Sequence, residues 1–254
     1  MKPINASSDL QEKIFESFSR RAESYDQYAS IQKLMADRLA SFLPHSTPAS
    51  IVEIGCGTGF FSQHLFRLNP PRLTLNDLSP KMLEQVQKHP DFKKQTNCIS
   101  GDAALTHFDP CDLVTGNAVF QWFSEPESPL KNFKSVLNPG GKILFNLFGP
   151  ATLQEMRAVA GIDSPTTFHT LEQIKQSLYA LGFKIDFAIS ELEETYFQNT
   201  QSLLKHLHSI GAAPIRKLSY SQMKRLIRDY DANFSTPKGV LARWEIVYFS
   251  AHLP

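Results

Sequence analysis

The residues that announce chemistry lie at 51–59, IVEIGCGTG, where an apolar, β-branched run ends in Glu53-Ile54 and gives way to Gly55, Gly57 and Gly59. Glycine is needed where backbone takes up positive φ or closes on a ligand with no Cβ in the way. Between a buried strand and a helix expected from about Phe60, three glycines spaced two apart open a nucleotide-shaped crevice at the strand's C-terminal end. A dinucleotide fingerprint sets its third glycine one residue later, so NAD fits this spacing less well. Asp77 stands 22 residues beyond Gly55, at the end of TLND. An acid at about that distance, closing the second strand, can accept two hydrogen bonds from ribose hydroxyls. An Asp before Ser79-Pro80 is also ordinary turn or cap chemistry.

These groups need a scaffold, and the pattern supplies one. Leu10, Ile14, Phe15 and Phe18 share one face of a first helix, and Tyr28, Ile31, Leu34, Met35, Arg38, Leu39 and Phe42 mark a second that Pro44 ends. Strands and helices then alternate: strand 49–54, helix 59–68, strand 72–76, helix 79–88, strands 96–99 and 112–116, helix 127–137, strand 142–148. Such alternation with short apolar strands predicts an α/β, Rossmann-like doubly wound sheet with helices on both faces. The Asn138-Pro139-Gly140-Gly141 break separates helix 127–137 from the fifth strand. Helices 153–160 and 170–181, strand 183–190, helices near 200–210 and 220–232 and a last strand 243–249 follow. A single domain over 1–254 is expected: N-terminal helices to 47, core 48–195, helical insertion 196–238, last strand 239–254. Insertions at a sheet's ligand edge act as lids or substrate walls; a purely structural helical cap is the alternative.

Charge excludes little but directs the search. Lys+Arg number 26 against 25 Asp+Glu, so the overall balance argues for no polyanionic partner. The cysteines, at 56, 98 and 111, lack metal-ligand spacing and leave an odd thiol, which suits a reducing compartment. No run approaches the roughly 20 apolar residues of a membrane span, and acids at 9, 12 and 16 argue against a secretory leader. A cytoplasmic protein with no bound metal, no nucleic acid and no membrane partner is expected.

Acid-x-Gly-x-Gly-x-Gly at 53–59 resembles motif I of class I S-adenosylmethionine (SAM) methyltransferases. The resemblance implies SAM as cofactor and a seven-stranded, mostly parallel sheet whose last strand is antiparallel. It also implies a set of roles: Glu53, Gly55, Gly57 and Gly59 form the loop, and Asp77 and Leu78 meet the ribose. Asp102 and Ala103, in SGDA, border the adenine, and Asn117, in DLVTGNAVFQW, holds the methionine end. Tyr25, in SFSRRAESYDQY, closes over that end. Phe120, Trp122 and Phe123 read equally as a pocket wall and as a core stripe. The loop after strand four has neither the Asn/Asp-Pro-Pro-aromatic of nucleic-acid amino methyltransferases nor the Pro-Cys of cytosine-C5 enzymes. Pro110-Cys111 precedes the strand and reads as a turn.

Longer phrases narrow the family. FNLFGPATLQEMRAV at 145–159 is similar to a Gly-Pro-x-Thr-Leu-x-Glu-Leu-Arg stretch of the malonyl-[acyl-carrier protein] O-methyltransferases of biotin synthesis, with Met156 in the Leu place. LLKHLHSIGAAP at 203–214 resembles their lid phrase, with His208 in a lysine place. The leader and the terminal ARWEIVYFSA fit as well. A malonyl thioester on an acidic carrier protein is the implied substrate. Its carboxyl is ionised at pH 7 and needs no general base, so His169, His206 and His208 are expected as surface or satisfied lid residues. Thr152-x-x-Glu155 predicts a capping box and a helix start at Leu153, whose N-terminus would attract an anion. Arg157 just beyond it offers a bidentate fork to the carboxylate; a surface salt bridge to Glu155 or Asp186 is its alternative. Sulfonium and carboxylate charges both fade in the transition state, so Arg157 is expected to orient rather than clamp the attacking oxygen.

Between 215 and 228, Arg216, Lys217, Lys224, Arg225 and Arg228 stand without an acid, and Ser219-x-x-Gln222 predicts a second capping box. This cationic face fits docking of the acidic carrier, or it is simply solvated. Two other functions stay open on sequence: methylation of a small free dicarboxylate, and a SAM-fold assembly factor that transfers no methyl.

Overall fold

A computed structural model describes residues 6–161, 168–211 and 218–254. Five strands, β1 (Ser50–Ile54), β2 (Arg72–Asp77), β3 (Asn97–Ser100), β4 (Cys111–Gly116) and β5 (Leu137–Phe148), pair in parallel in the order β3-β2-β1-β4-β5. Beyond β5 the sheet continues through β8 (Gly239–His252) to the edge strand β6 (Lys184–Phe197), and β8 is antiparallel to both neighbours. A two-residue strand, β7 (Ser235–Thr236), turns back onto the start of β8. The reversal of strand order between β1 and β4 opens a crevice at their C-terminal ends, where such sheets bind ligands.

Successive strand residues face opposite layers. Ile51, Leu113, Leu144 and Ile246 join one cluster with α2 (Ser30–Ala40), α3 (Ser62–Leu68), α8 (Thr200–Ser209) and α9 (Tyr220–Phe234). Val52, Val114, Phe145 and Val247 join the other with α5 (Glu127–Val136) and α7 (Leu171–Ala180). In that second layer Phe145 lies 5.7 Å from Phe133, 5.8 Å from Phe249 and 5.3 Å from Phe120, ring centre to ring centre. Each such burial contributes roughly 1.5–3 kcal/mol.

Three local expectations change. The strand register shifts between Cys111 and Leu113, so Leu137 already pairs with Cys111 and Pro139 to Gly141 form an irregularity inside β5 instead of a loop before it. Gly140 at φ 74° makes the bulge. β6 and β8 are also longer than expected, because they zip together from Lys184↔His252 to Phe197↔Val240. The capping box at Thr152 does not form. Thr152 Oγ1 donates to Glu245 O at 3.0 Å and accepts from Glu245 N at 3.1 Å, while Glu155 turns to Arg243 at 2.7 Å. Partners on β8 outcompete the local cap, and α6 (Gln154–Ala160) begins after Leu153 at φ 51°. The box at Ser219 does form, with Ser219 Oγ accepting from Gln222 N.

Candidate active site

The turn after β1 is built by backbone constraint. Gly55 has φ 59°, and a Cβ there would stand 2.4 Å from Val119 Cγ2; Gly57 has φ 55° and open space where a Cβ would go. The first glycine lets the β1 and β4 loops touch, and the second leaves a cradle. Gly57 N donates to Asp77 Oδ2 at 2.9 Å and Ser79 N to Asp77 Oδ1 at 2.8 Å. Asp77 is therefore oriented from both sides with an open lone pair on each oxygen. Burial pushes its carboxyl up to about 6 against the pull of these two backbone donors.

The loop after β4 is pinned by a residue absent from the expected set. Asn146 of β5 is completely buried. Its Oδ1 accepts from Ala118 N at 2.7 Å, and its Nδ2 donates to Met35 O at 3.0 Å and Asn117 Oδ1 at 2.9 Å. Asn117 Nδ2 in turn donates to Gln32 O at 3.0 Å. This network ties α2, β4 and β5 together and holds Ala118 at φ 51°. Its one sequence signal is a polar residue inside the otherwise apolar run ILFNLF at 143–148.

Gly55, Gly57, Asp77, Leu78, Asp102, Ala103, Asn117 and Tyr25 line one crevice of about 800 Å³. Asp102 follows β3 and braces its own turn, its Oδ1 accepting from Ala104 N at 2.9 Å. The aromatic trio divides: Trp122 and Phe123 line the crevice, whereas Phe120 is fully buried in the core. Ile14 and Phe18 of α1 (Ala6–Arg21) complete the wall, with Phe18 edge-on to Trp122 at 5.3 Å. The apolar face of the first helix was legible; its target was not. Gly59 plays a packing part, since a Cβ there would meet Val86 Cγ2 at 2.8 Å.

Glu53 opens onto a smaller annex of about 310 Å³ that shares Tyr25, Gly55, Gly57, Asn117 and Ala118 with the crevice. Ser62 Oγ donates to its Oε2 at 2.6 Å. Burial, with Asp77 adding like-charge repulsion, pushes the Glu53 carboxyl up to about 8. Burial and the nearby Asp77 and Asp26 raise the Tyr25 phenol well above its ordinary range.

Arg157 is not brought into the crevice. It lines an open hollow with Pro150, Gln154 and Glu245. One of its amino groups donates to Pro150 O, and its guanidinium lies 5.1 Å from the Phe168 ring centre. It pairs with neither Glu155, which holds Arg243, nor Asp186, which holds His252. His169 Nε2 lies 2.9 Å from Phe123 O, which steadies the crevice wall. Burial lowers the His206 imidazole.

The insertion packs onto the core through Leu203, Leu207, Leu226 and Tyr230. Arg21 Nε donates to His208 O at 2.8 Å, so the insertion touches α1, whose Phe18 walls the crevice. Lys224, Arg225 and Arg228 are exposed. Asp229, one residue past the window that lacked acids, pairs with Arg228 at 2.8 Å and Arg225 at 3.4 Å. Arg216 and Lys217 lie outside the described residues.

Comparison with known proteins agrees with this geometry. The sequence model of a family described as a methyltransferase domain matches residues 52–145. A protein of Priestia megaterium named malonyl-[acyl-carrier protein] O-methyltransferase is 31% identical, over 92% of this chain and 94% of its own. One of the same name from Haemophilus ducreyi is 32% identical, over 88% and 89%. Among solved structures, the magnesium protoporphyrin IX methyltransferase of Synechocystis, with S-adenosylhomocysteine bound, superposes at TM-score 0.62 with 14% identity, over 97% of this chain and all of its own. At that identity the likeness is one of fold.

Proposed function

The chain belongs to the malonyl-[acyl-carrier protein] O-methyltransferase family, and from that premise we propose that it transfers a methyl group from SAM to the free carboxylate of a malonyl thioester on acyl carrier protein. The observation that carries this reading is the gathering of Gly55, Gly57, Asp77, Asp102 and Asn117 around one crevice at the switch point of the sheet. The residues fit the cofactor: Gly57 leaves a cradle, Asp77 has lone pairs for two ribose hydroxyls, and Glu53 Oε1 is buried without a partner. When bound, SAM supplies an electrophilic methyl on a sulfonium.

The chain's own residues bind, orient and exclude water. Asp102 and Ala103 take the adenine side, and Phe18, Trp122 and Phe123 wall the crevice against solvent. Tyr25 is protonated at neutral pH, as phenols ordinarily are and as burial reinforces, and so acts as a donor over the methionine end. The malonyl carboxylate is already ionised, so alignment supplies most of the rate, potentially several kcal/mol. Arg157 is the proposed carboxylate partner. In support, its Nε is buried with no acceptor. To meet a carboxylate at the crevice, its guanidinium must give up Pro150 O and the Phe168 ring. Arg157→Lys keeps charge but loses the fork; activity should fall by about tenfold or more with SAM affinity unchanged, and parent-rate turnover would remove Arg157 from the site.

The carrier is proposed to be acidic and to approach Lys224, Arg225 and Arg228. Methylation hides the carboxylate so that fatty-acid elongation enzymes accept the chain as a primer, placing the step at the start of pimeloyl and hence biotin synthesis. Free thiols at Cys56, Cys98 and Cys111 accord with a cytoplasmic setting, and no described helix is long and apolar enough to cross a membrane.

The test is transfer of labelled methyl from SAM to malonyl carrier protein, a short malonyl thioester and free dicarboxylates in parallel. Preference for the carrier-bound thioester is expected. Faster labelling of a free dicarboxylate would replace the substrate assignment. SAM binding with no transfer to any of them would make the chain an assembly factor.

A further inference from the structure

Among the described residues, Ala118 is the one residue lining the crevice that is left-handed without being a glycine. At φ 51° its Cβ is brought too near the following carbonyl oxygen, so the surroundings must hold it there. Both of its polar main-chain groups are held by side-chain amides. Asn146 Oδ1 accepts from Ala118 N at 2.7 Å, and Gln121 Nε2 donates to Ala118 O at 2.7 Å. The first clamp comes from β5. The second comes from the single 3₁₀ turn Phe120–Trp122, which sends Phe120 into the core, Trp122 to the crevice and Gln121 back to Ala118.

What these clamps set in place is Val119. A Cβ at Gly55 would stand 2.4 Å from Val119 Cγ2, and one at Gly116 would stand 2.9 Å from Val119 Cγ1. Val119 is thus wedged between the glycine after β1 and the last residue of β4, and it lines the crevice beside Ala118. The dihedrals of Ala118 immediately precede Val119, so any other backbone well at 118 would swing the wedge away. Gln121 holds this geometry at a cost to the fold. It is 4% exposed, and its Oε1 is buried with no hydrogen-bond partner. A buried acceptor left unpaired is destabilising, and a methionine of similar shape would fill the same space without one. Strained backbone and unpaired polar atoms gather where a site must be kept in shape.

We propose that Gln121 is a positioning residue of the crevice: through the Ala118 carbonyl it keeps Val119 wedged against Gly55, so the wall is set before a ligand arrives. This rests on the SAM reading above and extends it to a side chain that acts from behind the wall, through main chain. A wall that is already ordered removes the ordering cost from binding. Gln121 therefore contributes to cofactor affinity and little to the stability of the fold.

Calorimetry with S-adenosylhomocysteine and methyl-transfer kinetics test this on the whole chain. Gln121→Met removes the donor and the orphan oxygen together. It should bind the ligand about tenfold more weakly, the worth of one hydrogen bond, with a denaturation midpoint near the parent's. The Michaelis constant for SAM should rise in step, while kcat at saturating SAM changes far less. Gln121→His, which offers a ring N–H at similar reach, should recover most of the affinity. Gln121→Asn, one methylene short, should lose it as Gln121→Met does, and it decides the matter if Gln121→Met does not fold. In an Ala118→Gly background the left-handed well is freely open to the chain, so Gln121→Met should cost less than about threefold there. Parent affinity in Gln121→Met and Gln121→Asn would overturn the proposal. So would a loss of the same size in both backgrounds, or one matched by an equal fall in kcat. If the parent does not bind S-adenosylhomocysteine, the cofactor reading fails and the proposal with it. If the parent binds it and methylates malonyl thioester while both variants match the parent, only the role of Gln121 falls.

Discussion

The glycine loop and helix α9 both present groups to ligands, and they are held in opposite ways. At the loop, positive φ at Gly55 and Gly57 and two backbone donors to Asp77 leave one geometry available. On α9, Lys224 lies 4.6 Å from the Tyr220 ring centre, and Arg225 and Arg228 share Asp229, all at exposed positions where alternative rotamers are cheap. The first region recognises by fixed position and the second by charge that can rearrange. Substitutions at the loop should therefore act through geometry and fall on every substrate, whereas those on α9 should act through long-range fields and fall on one class only.

The sharpest break in the comparison is expected at Gly55. Gly55→Ala forces an L-residue into the left-handed region, about 1–2 kcal/mol, and drives a methyl into Val119, about 1–3 kcal/mol more. SAM affinity should fall about a hundredfold in calorimetry. Gly57→Ala bears the conformational cost alone, since nothing stands within 4 Å of its Cβ position. Equal behaviour of the two variants would show that the contact with Val119 is irrelevant.

Glu53 sharpens the comparison through pH. Its folded pKa is raised from an ordinary 4.5 to about 8. Below about 4.5 both folded and unfolded chains hold this proton. Between about 4.5 and 8 the unfolded chain releases it while the folded chain keeps it, so stability falls as pH rises. Glu53→Gln should flatten this slope and stabilise the free protein by about 3 kcal/mol at pH 7. The measurement is denaturant unfolding at several pH values, and parallel curves for parent and variant would show that the carboxyl is solvated.

Asp77→Ala comes next. It should weaken SAM by roughly 1.5–3 kcal/mol, the worth of hydrogen bonds to a charged group. Unchanged affinity in a folded variant would take Asp77 out of the site.

What could be read from the chain follows the same division. Gly55, Gly57 and Asp77 were legible because their roles follow from backbone conformation and spacing, which are local. The βαβ alternation was legible for the same reason, β1 and most of β4 being buried on both faces. Asn146 was not, since its function exists only when Ala118, Asn117 and Met35 converge on it. Thr152 carried a local cap signal that failed, because Glu245, 93 residues away, took its hydroxyl instead. Counting charges up to 228 missed Asp229 by one residue.

That acid sets the expectation for the smallest effect. Asp229 offsets part of the charge of Arg225 and Arg228, so the free field of α9 is weaker than the three cations alone would make it. Replacing Lys224, Arg225 and Arg228 by Glu still reverses the sign of the face and leaves Asp229 beside new like charges. Steering of an acidic carrier acts mainly on association and weakens with salt. The apparent Michaelis constant for malonyl carrier protein should rise several-fold at low salt, and the difference from the parent should shrink as salt is added. A short malonyl thioester should be used almost as the parent uses it, because Leu226 and Tyr230, which seat the helix, are untouched. Asp229→Asn gives the complementary change: it frees Arg225 and Arg228, so carrier use should improve slightly at low salt. Equal losses on both substrates in the triple variant would mean that the helix has lost its seat. No loss on either, with no response to Asp229→Asn, would leave α9 a solvated face and move the docking surface elsewhere.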